Sequence, residues 1–491
     1  MACTPPALAR ARILPATAMP PWGWLLLYFA AHVLGRVLVS PALELDEAEQ
    51  AVWTQHLQWG YGAQPPLYTW LQWAVFQVLG ASVFTLSLLK NALLALAYVC
   101  VYLAGRTLMP ASLAALGAAT MLLLPQIGWE ASRDLTHSVL LTTVSAATLA
   151  VVLALLRRPR PALYLLTGFV AGLGLLSKYS YAGFLAVLLL ALLAGRDTRA
   201  VLLSRWTLAA IALAALMVLP HGLWVLQHWS LAVESTAGKL TGKIPVSFAH
   251  GLWLGLSSMV LAVLAFSGLW ALTMGLLFGR TAVQAWSRWW RPAAAPPGGG
   301  LHLQALWRRY FVALGLLFLA MMVFGEVTRF KDRWMMPFLF LLPVAFFSCA
   351  PELAQHARLP RLRRVLLSVA VLVLVLLTAR VPYNAMRDKP DELNQPVREL
   401  AQALRARGYA GKGIILSNDR TLAGALRLQF PRAHIEVDGG EGDSSLPTER
   451  PLLWVEPLTA ELPTLPQDLV LPYHFSSSGD APARYRYTLL P

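Results

Sequence analysis

The chain has 491 residues, of which 57% are hydrophobic and only 13% charged, against about 25% charged in a soluble domain. That deficit, with a mean hydropathy of +0.56, excludes a soluble enzyme and predicts a polytopic membrane protein. The net charge of +15 is scattered as short Arg clusters between apolar runs; a nucleic-acid-binding face would concentrate it.

The N-terminal stretch carries Arg10 and Arg12 and leads into an apolar run from Trp22 to Ser40. No clean small-residue cleavage site follows, which predicts an uncleaved first transmembrane helix over about Pro21 to Ser40. A polar and aromatic stretch from Glu44 to Trp73 comes next. Ten further apolar runs follow: about Ser82 to Ala104, Ala111 to Pro125, Ser138 to Leu156, Ala162 to Leu176, Ala182 to Ala194, Thr207 to Leu226, Leu252 to Leu277, Phe311 to Gly325, Met335 to Cys349 and Val365 to Val381. The expectation is about 11 transmembrane helices, several of them shorter than the roughly 20 residues of a full span. Every second loop is Arg-rich, with Arg106, Arg157, Arg196, Arg288 and Arg361 as examples. These loops and the N-terminus are therefore expected in the cytoplasm, with the tail outside.

Pro292 to Gly300 is a low-complexity linker, and Gly439-Gly440 an isolated loop signal. From Pro382 to Pro491 the hydropathy drops. Helical period over Val397 to Arg407 and Arg420 to Leu428, and short strand patterns at Gly413 to Leu416, His434 to Val437 and Leu452 to Val455, predict a small α/β domain. The domain expectation is thus residues 1–381 in the membrane and 382–491 in water. Cys3, Cys100 and Cys349 have no metal-ligand spacing and predict no disulfide.

The outer loops mix both charge signs close to helix ends. The first reads Glu44-Leu-Asp-Glu-Ala-Glu-Gln50, then Gln64-Pro-Pro-Leu-Tyr68. A carboxylate at Asp46 or Glu47 can take a proton from a sugar hydroxyl or hold a divalent cation; it can equally be a solvated helix-end acid. In the second, Glu130, Arg133, Asp134 and His137 share one side of a helix. They can flank a cation or form an internal network stitching helices. The third holds Lys178 and Tyr179, and the fourth Arg329, Lys331 and Arg333. A cation on this face works against the insertion bias; it can snorkel to headgroups or bind an anionic phosphate.

The first loop, "DEAEQAVWTQHLQWGYGAQPPLYTWLQ", resembles the first periplasmic loop of GT-C glycosyltransferases of the protein-mannosyltransferase-like superfamily (glycosyltransferase families 39 and 83). That superfamily includes the lipid A aminoarabinose transferases and bacterial galacturonic-acid transferases. "WEASRDLTH", "GLLSKYSY" and "RFKDRWMMP" are similar to later motifs of its bacterial branch, so the likeness runs from about Pro21 to Val381.

The resemblance implies a GT-C fold, an outer-face cavity, a polyprenyl-phosphate sugar donor and inverting transfer to a glycan, lipid or protein acceptor. Lipid A is among those acceptors. It implies Asp46 as the catalytic or metal-associated carboxylate, Glu47 beside it and Asp134 as a second carboxylate, with a divalent metal at Asp46 and Asp134 compatible and no covalent cofactor. Substrate contacts are expected, from their side of the membrane and their charge or polarity, from Gln64, Tyr68, Glu130, Arg133, His137, Lys178, Tyr179, Lys331 and Arg333, and the resemblance implies a bacterial inner-membrane enzyme. Two positions depart from the aminoarabinose branch: Glu49 stands where that branch has Arg, and Gln64 where it has Lys just before the two prolines. Arg133, Lys178, Lys331 and Arg333 are the substitutes for that phosphate clamp. The competing classes are a transporter or flippase of a lipid-linked sugar or other anion, and a non-enzymatic scaffold. A transporter would set charges deep in the helices, often with inverted repeats; here charges cluster at outer helix ends and no repeat is visible.

Overall fold

The computed structural model describes residues 21–234, 247–291, 302–438, 450–458, 462–463, 465–476 and 482–490. Arg10, Arg12, Cys3, Lys239, Lys243, the 292–300 linker and Gly439-Gly440 lie outside them.

The protein is a multi-pass membrane protein, mostly helical, with a small C-terminal sheet. Among the described residues, six helices are long and apolar enough to cross a membrane: Val83–Arg106, His137–Arg157, Arg205–Gln227, Phe248–Phe278, Leu303–Val323 and Leu359–Met386. Ala111–Leu123 and Gln126–Arg133 form a pair bent by 80°, and Gly23–Val39, Pro161–Leu175 and Tyr181–Leu193 are shorter apolar helices. Burial sorts them. The most apolar window of His137–Arg157 is 72% buried, that of Arg205–Gln227 and of Leu359–Met386 only 11%. The first is central, packed against Val83–Arg106; the other two turn their leucines outward, as lipid-facing helices must.

The run Met335 to Cys349 forms no continuous helix. It breaks into Met336–Leu339 and Leu342–Ser348, because Pro337 and Pro343 each lack an N–H and restart the helix at its first turn. Its two ends nonetheless meet different partners. Asp332 accepts a 2.6 Å bond from Nε2 of Gln126, on the segment leading to Asp134. The Cys349 carbonyl accepts from Arg288, 2.7 Å away, and Arg288 also pairs with Glu352 at 2.8 Å. Two of the Arg-rich loops are thus joined at one end of the bundle, away from the acidic loops. Cys100 and Cys349 are buried free thiols.

At the other end, the first helix α1 (Pro21–Val39) is followed by a short turn and α2 (Leu45–Trp53). The amide of Glu44 donates to Oε2 of Glu47 at 3.3 Å, and the α2 start closes as a capping box. Then come α3 (Leu67–Leu79) and α4 (Val83–Arg106), the latter started by Ser82, whose side chain accepts from the Thr85 amide.

The C-terminal sheet holds strands β1 (Gly413–Ser417), β2 (Ala433–Val437), β3 (Leu452–Pro457), β4 (Leu469–Leu471) and β5 (Ala483–Leu490) in the order β2-β1-β3-β5-β4. β1 runs parallel to β2 and β3, while β5 is antiparallel to β3 and β4. Helices Val397–Ala406 and Arg420–Gln429 pack on it around Leu400, Leu404, Leu426 and Ile415. The strands expected at 413–416, 434–437 and 452–455 are present; β4 is only three residues long, while the alternation of Ala483-Arg-Tyr-Arg-Tyr-Thr488 was the signal for β5 that sequence reasoning passed over.

This layer sits directly on α2. Ala48 and Ala51 are fully buried, and a Cβ on Gly424 would fall 2.4 Å from Cα of Ala48, so the two backbones touch. Gln55 pairs with Ile435 on β2 through both amide atoms, at 2.8 and 2.9 Å. The first acidic loop and the C-terminal sheet therefore share one side of the bundle.

Candidate active site

Asp46 sits in the first turn of α2, half buried. Its Oδ2 accepts from the amide of Thr136 at 2.9 Å and from the Thr136 hydroxyl at 3.2 Å. In return, its own amide donates to Oδ1 of Asp134 at 3.1 Å. The two acids expected to share a cavity are thus interlocked, each carboxylate bonded to the other's segment. Burial, followed by the negative field of Asp46, pushes the Asp134 carboxyl up to about 7, although Lys90 and the Asp46 amide act against the rise. The Asp134 carboxyl can therefore carry a proton near neutral pH.

Further along α2, Nε2 of Gln50 is 3.1 Å from Nε2 of His137. The His137 ring also lies 5.4 Å from that of Tyr68 and 6.1 Å from that of Trp53. Asp46, Gln50 and Trp53 recur at helical spacing, so one face of α2 meets the start of His137–Arg157. Lys178 joins the same place by donating to Ser138 Oγ at 2.8 Å. Asp46, Asp134, His137, Tyr68 and Lys178, named from four separate stretches of sequence, are brought together.

The remaining sites are placed differently. Arg133 lies 3.6 Å from Glu130 and 3.8 Å from Glu44. Gln64 closes a two-residue bridge with Tyr61 through the backbone. Tyr179 stacks on His221, which is bonded to the Trp59 carbonyl at 2.6 Å. Lys331 and exposed Arg333 flank Asp332 on the loop tied to Gln126.

Glu47 is 1% exposed and wholly engaged. Arg36 reaches it at 2.6 Å and Lys90 at 3.4 Å. Burial alone would raise its carboxyl, but Arg36 and Lys90 outweigh that and hold it below the ordinary carboxylate range. Arg36 also donates to the carbonyls of Ser40 and Ala42 at 2.9 and 2.6 Å, and Lys90 to that of Arg133 at 2.8 Å. Glu47 is the hub of a clamp that fixes both acid-bearing segments. Sequence reasoning passed over Arg36, Lys90 and Thr136. The signal for the first two was available: a cation inside an otherwise apolar helix is costly enough to demand a partner.

Among the described residues no group of three or more His, Cys, Asp or Glu side chains is suited to a metal ion. With Glu47 committed to Arg36 and Lys90, Asp46 and Asp134 would offer a divalent ion two carboxylates, too few alone for the six to eight oxygens Ca²⁺ prefers but compatible with Mg²⁺, which binds through one or two carboxylates together with substrate phosphates.

An interlocked acid pair lies at the end of an apolar bundle, under a small α/β layer, and the relatives of this chain give the class: a membrane glycosyltransferase of the GT-C type. Residues 63–224 match the family described as dolichyl-phosphate-mannose-protein mannosyltransferase. The lipopolysaccharide core galacturonosyltransferase RgtB of Rhizobium johnstonii is 34% identical over 438 residues, covering 87% of this chain and 85% of that one. RgtA of the same organism is 34% identical over 413 residues, covering 84% and 80%. The crystal structure of ArnT from Cupriavidus metallidurans bound to undecaprenyl phosphate has the same fold, with a TM-score of 0.56 at 15% identity over 89% of this chain and 93% of that one. The chain belongs to the GT-C glycosyltransferases of the protein-mannosyltransferase-like superfamily, and it is an enzyme that transfers sugars.

Proposed function

We propose that this enzyme moves a galacturonosyl residue from a polyprenyl-phosphate donor to a saccharide of lipopolysaccharide, with inversion, at the periplasmic face of the bacterial inner membrane. The observation that carries it is the Asp46–Asp134 pair, which supplies a base and a protonated neighbour at one spot. The galacturonosyl donor and the lipopolysaccharide acceptor follow from likeness to RgtB and RgtA. The lipid phosphate carrier follows from likeness to the ArnT complex.

In this reading the chain divides near residue 382 into a membrane part with eleven crossings and a periplasmic part. The helix Leu359–Met386 carries the membrane part slightly beyond that point. Asp46 takes the proton of the acceptor hydroxyl, the freed oxygen attacks the anomeric carbon, and the bond from that carbon to the phosphate oxygen breaks. The electron pair leaves with the polyprenyl phosphate, whose growing charge Lys178 is placed to meet. Lys331 and Arg333, on the loop tied to Gln126 through Asp332, add positive charge on the same face for that phosphate.

The test is transfer by the purified, reconstituted protein from labelled polyprenyl-phosphate galacturonate to a lipopolysaccharide core acceptor. Consumption of donor by wild type and its loss in Asp46→Asn support the reading. Equal rates for the two remove Asp46 from the reaction. A periplasm-active reporter fused after Pro491 checks the orientation; activity of a cytoplasmic reporter at that position contradicts it.

A further inference from the structure

The C-terminal layer meets the bundle at a second place, the end of the helix Leu359–Met386 where Arg380 bonds Glu44. The link is Asn394, which is fully buried. Its side-chain amide donates to the carbonyls of Val381 and His474 at 3.1 and 3.0 Å, and its own carbonyl accepts from the His474 amide at 2.7 Å. The turn 473–476 is thereby hung on that helix at the height of Val381. The height can be read against a bilayer. Arg363 and Arg364 close the apolar stretch at the far end, and about 20 residues, counted from Val365, cross a hydrocarbon core and finish near Asn384. Tyr383 is exposed there, and Arg387 donates to its hydroxyl at 2.7 Å; an aromatic with a cation is what marks the headgroup layer. The turn sits at the height of that layer.

On this turn stands Phe475, 44% exposed. A lone exposed aromatic needs no explanation, but this one has a left-handed backbone, with a φ of 67°. The Tyr473 carbonyl accepts from the Ser476 amide at 3.0 Å, which makes Phe475 the third residue of a β-turn. A positive φ at that position belongs to Gly or Asn, because a larger side chain crowds the backbone. In water a Phe there would hold a strained backbone and an uncovered ring at once, and such strain persists only where the surroundings offset it. The protein does not cover the ring: His474, one position back in the chain, lies against it with 4.0 Å between centroids, and more than two fifths of the residue stays open. Tyr473, at the start of the turn, faces inward onto the hollow lined by Arg380 and Asp391. Pro472, just before it, is exposed as well. The tip is apolar, strained and uncovered at the height where lipid begins.

We propose that Phe475 is a membrane anchor: the turn 473–476 dips its ring into the boundary between headgroups and acyl chains, and docks the C-terminal layer on phospholipid. Removal of the ring from water offsets the strain of the backbone that presents it. With the contact between Gly424 and α2, the layer then has two supports, one of protein and one of lipid. The anchor is independent of the transfer reaction proposed for Asp46 and of which leaflet the acidic loops face.

Depth can be read on the full-length protein in phospholipid nanodiscs, from a nitroxide attached at Phe475→Cys in a Cys3→Ser background; Cys100 and Cys349 are buried. Collisions with oxygen, which concentrates in lipid, are compared with collisions with a water-soluble nickel chelate. Leu372→Cys, on the exposed side of Leu359–Met386, gives the lipid reference. Lys412→Cys, exposed before β1, gives the water reference. The expected oxygen-to-nickel ratio at position 475 is several-fold above that of Lys412→Cys and closer to that of Leu372→Cys. A ratio equal to that of Lys412→Cys overturns the proposal. Because cysteine removes the ring, a second measurement keeps an aromatic in place: benzoylphenylalanine is substituted for Phe475 and irradiated in the same nanodiscs. A peptide carrying position 475 and heavier by one phospholipid is expected. Irradiated protein without any lipid adduct at that position equally overturns the anchor.

Discussion

The ammonium of Lys90 lies 3.4 Å from Oε1 of Glu47, and both side chains are 1% exposed. Lys90 comes from the second turn of the apolar helix α4, and Glu47 from the first turn of α2, next to Asp46. With Arg36 on the other carboxylate oxygen and the Arg133 carbonyl on Lys90, the pair ties α1, α2, α4 and the Asp134 segment together.

Removing one partner leaves the other buried and uncompensated, a cost of about 3–5 kcal/mol. Lys90→Met is therefore expected to lower the melting temperature sharply or prevent accumulation in the membrane. Lys90→Met combined with Glu47→Gln should be less destabilised than the two single effects added. A melting temperature for Lys90→Met equal to that of wild type would show that the contact holds nothing.

Asp46→Asn tests chemistry instead of folding. The amide keeps the size and can still accept from Thr136, but it neither takes a proton nor carries charge. Transfer should fall by about 10²–10⁴-fold, at a melting temperature near that of wild type. Glu47→Gln, one residue away, should show the reverse signature, with a loss of stability through weakened bonds to Arg36 and Lys90. Finding a stable but inactive Glu47→Gln would move the base from Asp46 to Glu47.

A pH dependence follows from Asp134. Its carboxyl is pushed up to about 7, first by burial and then by Asp46. As the pH rises through that value the proton leaves, and two negative carboxylates face the anionic donor. The transfer rate should fall above about pH 7, by roughly tenfold per unit in the limiting case. Stability has the same sign: a folded-state value raised above the ordinary carboxyl range means stability is lost as pH climbs toward 7. Asp134→Asn mimics the protonated form, so it should remain active and lose the alkaline fall. An unchanged pH profile in Asp134→Asn would assign that titration to another group.

The apolar runs and the first acidic loop were legible because hydropathy and charge are local properties. The proline-broken run from Met335 to Cys349 looked continuous because composition averages over Pro337 and Pro343. Pairings across the chain left no such trace. Glu44 is shared by Arg133 and Arg380, and Gln55 pairs with Ile435; each contact joins residues hundreds of positions apart or in separate loops. Glu47 reads in sequence as half of a catalytic acid pair with Asp46. On a helix, adjacent residues point about 100° apart, and here that angle sends Asp46 to Thr136 and Glu47 into the Arg36–Lys90 clamp.

The contact between α2 and the helix Arg420–Gln429 gives a last test, of whether the C-terminal layer positions Asp46. The sequence has glycine at 424 because Cα of Ala48 leaves no room for a Cβ. Gly424→Val must push the two backbones apart, an overpacking cost of typically about 1–3 kcal/mol. The sheet is held by its own core around Leu426, Ile435 and Leu453, so the displacement should fall on α2 and carry Asp46 away from Thr136 and Asp134. Misplacement by about 1 Å can cost on the order of 10²-fold in rate. The expected result is a large fall in transfer with a modest fall in melting temperature, and faster proteolysis between residues 386 and 413. Gly424→Ala should lie between Gly424→Val and wild type. Full activity in a folded Gly424→Val would mean that Asp46 is held by the membrane helices alone, through the Glu47 clamp, and that the C-terminal layer does not position it.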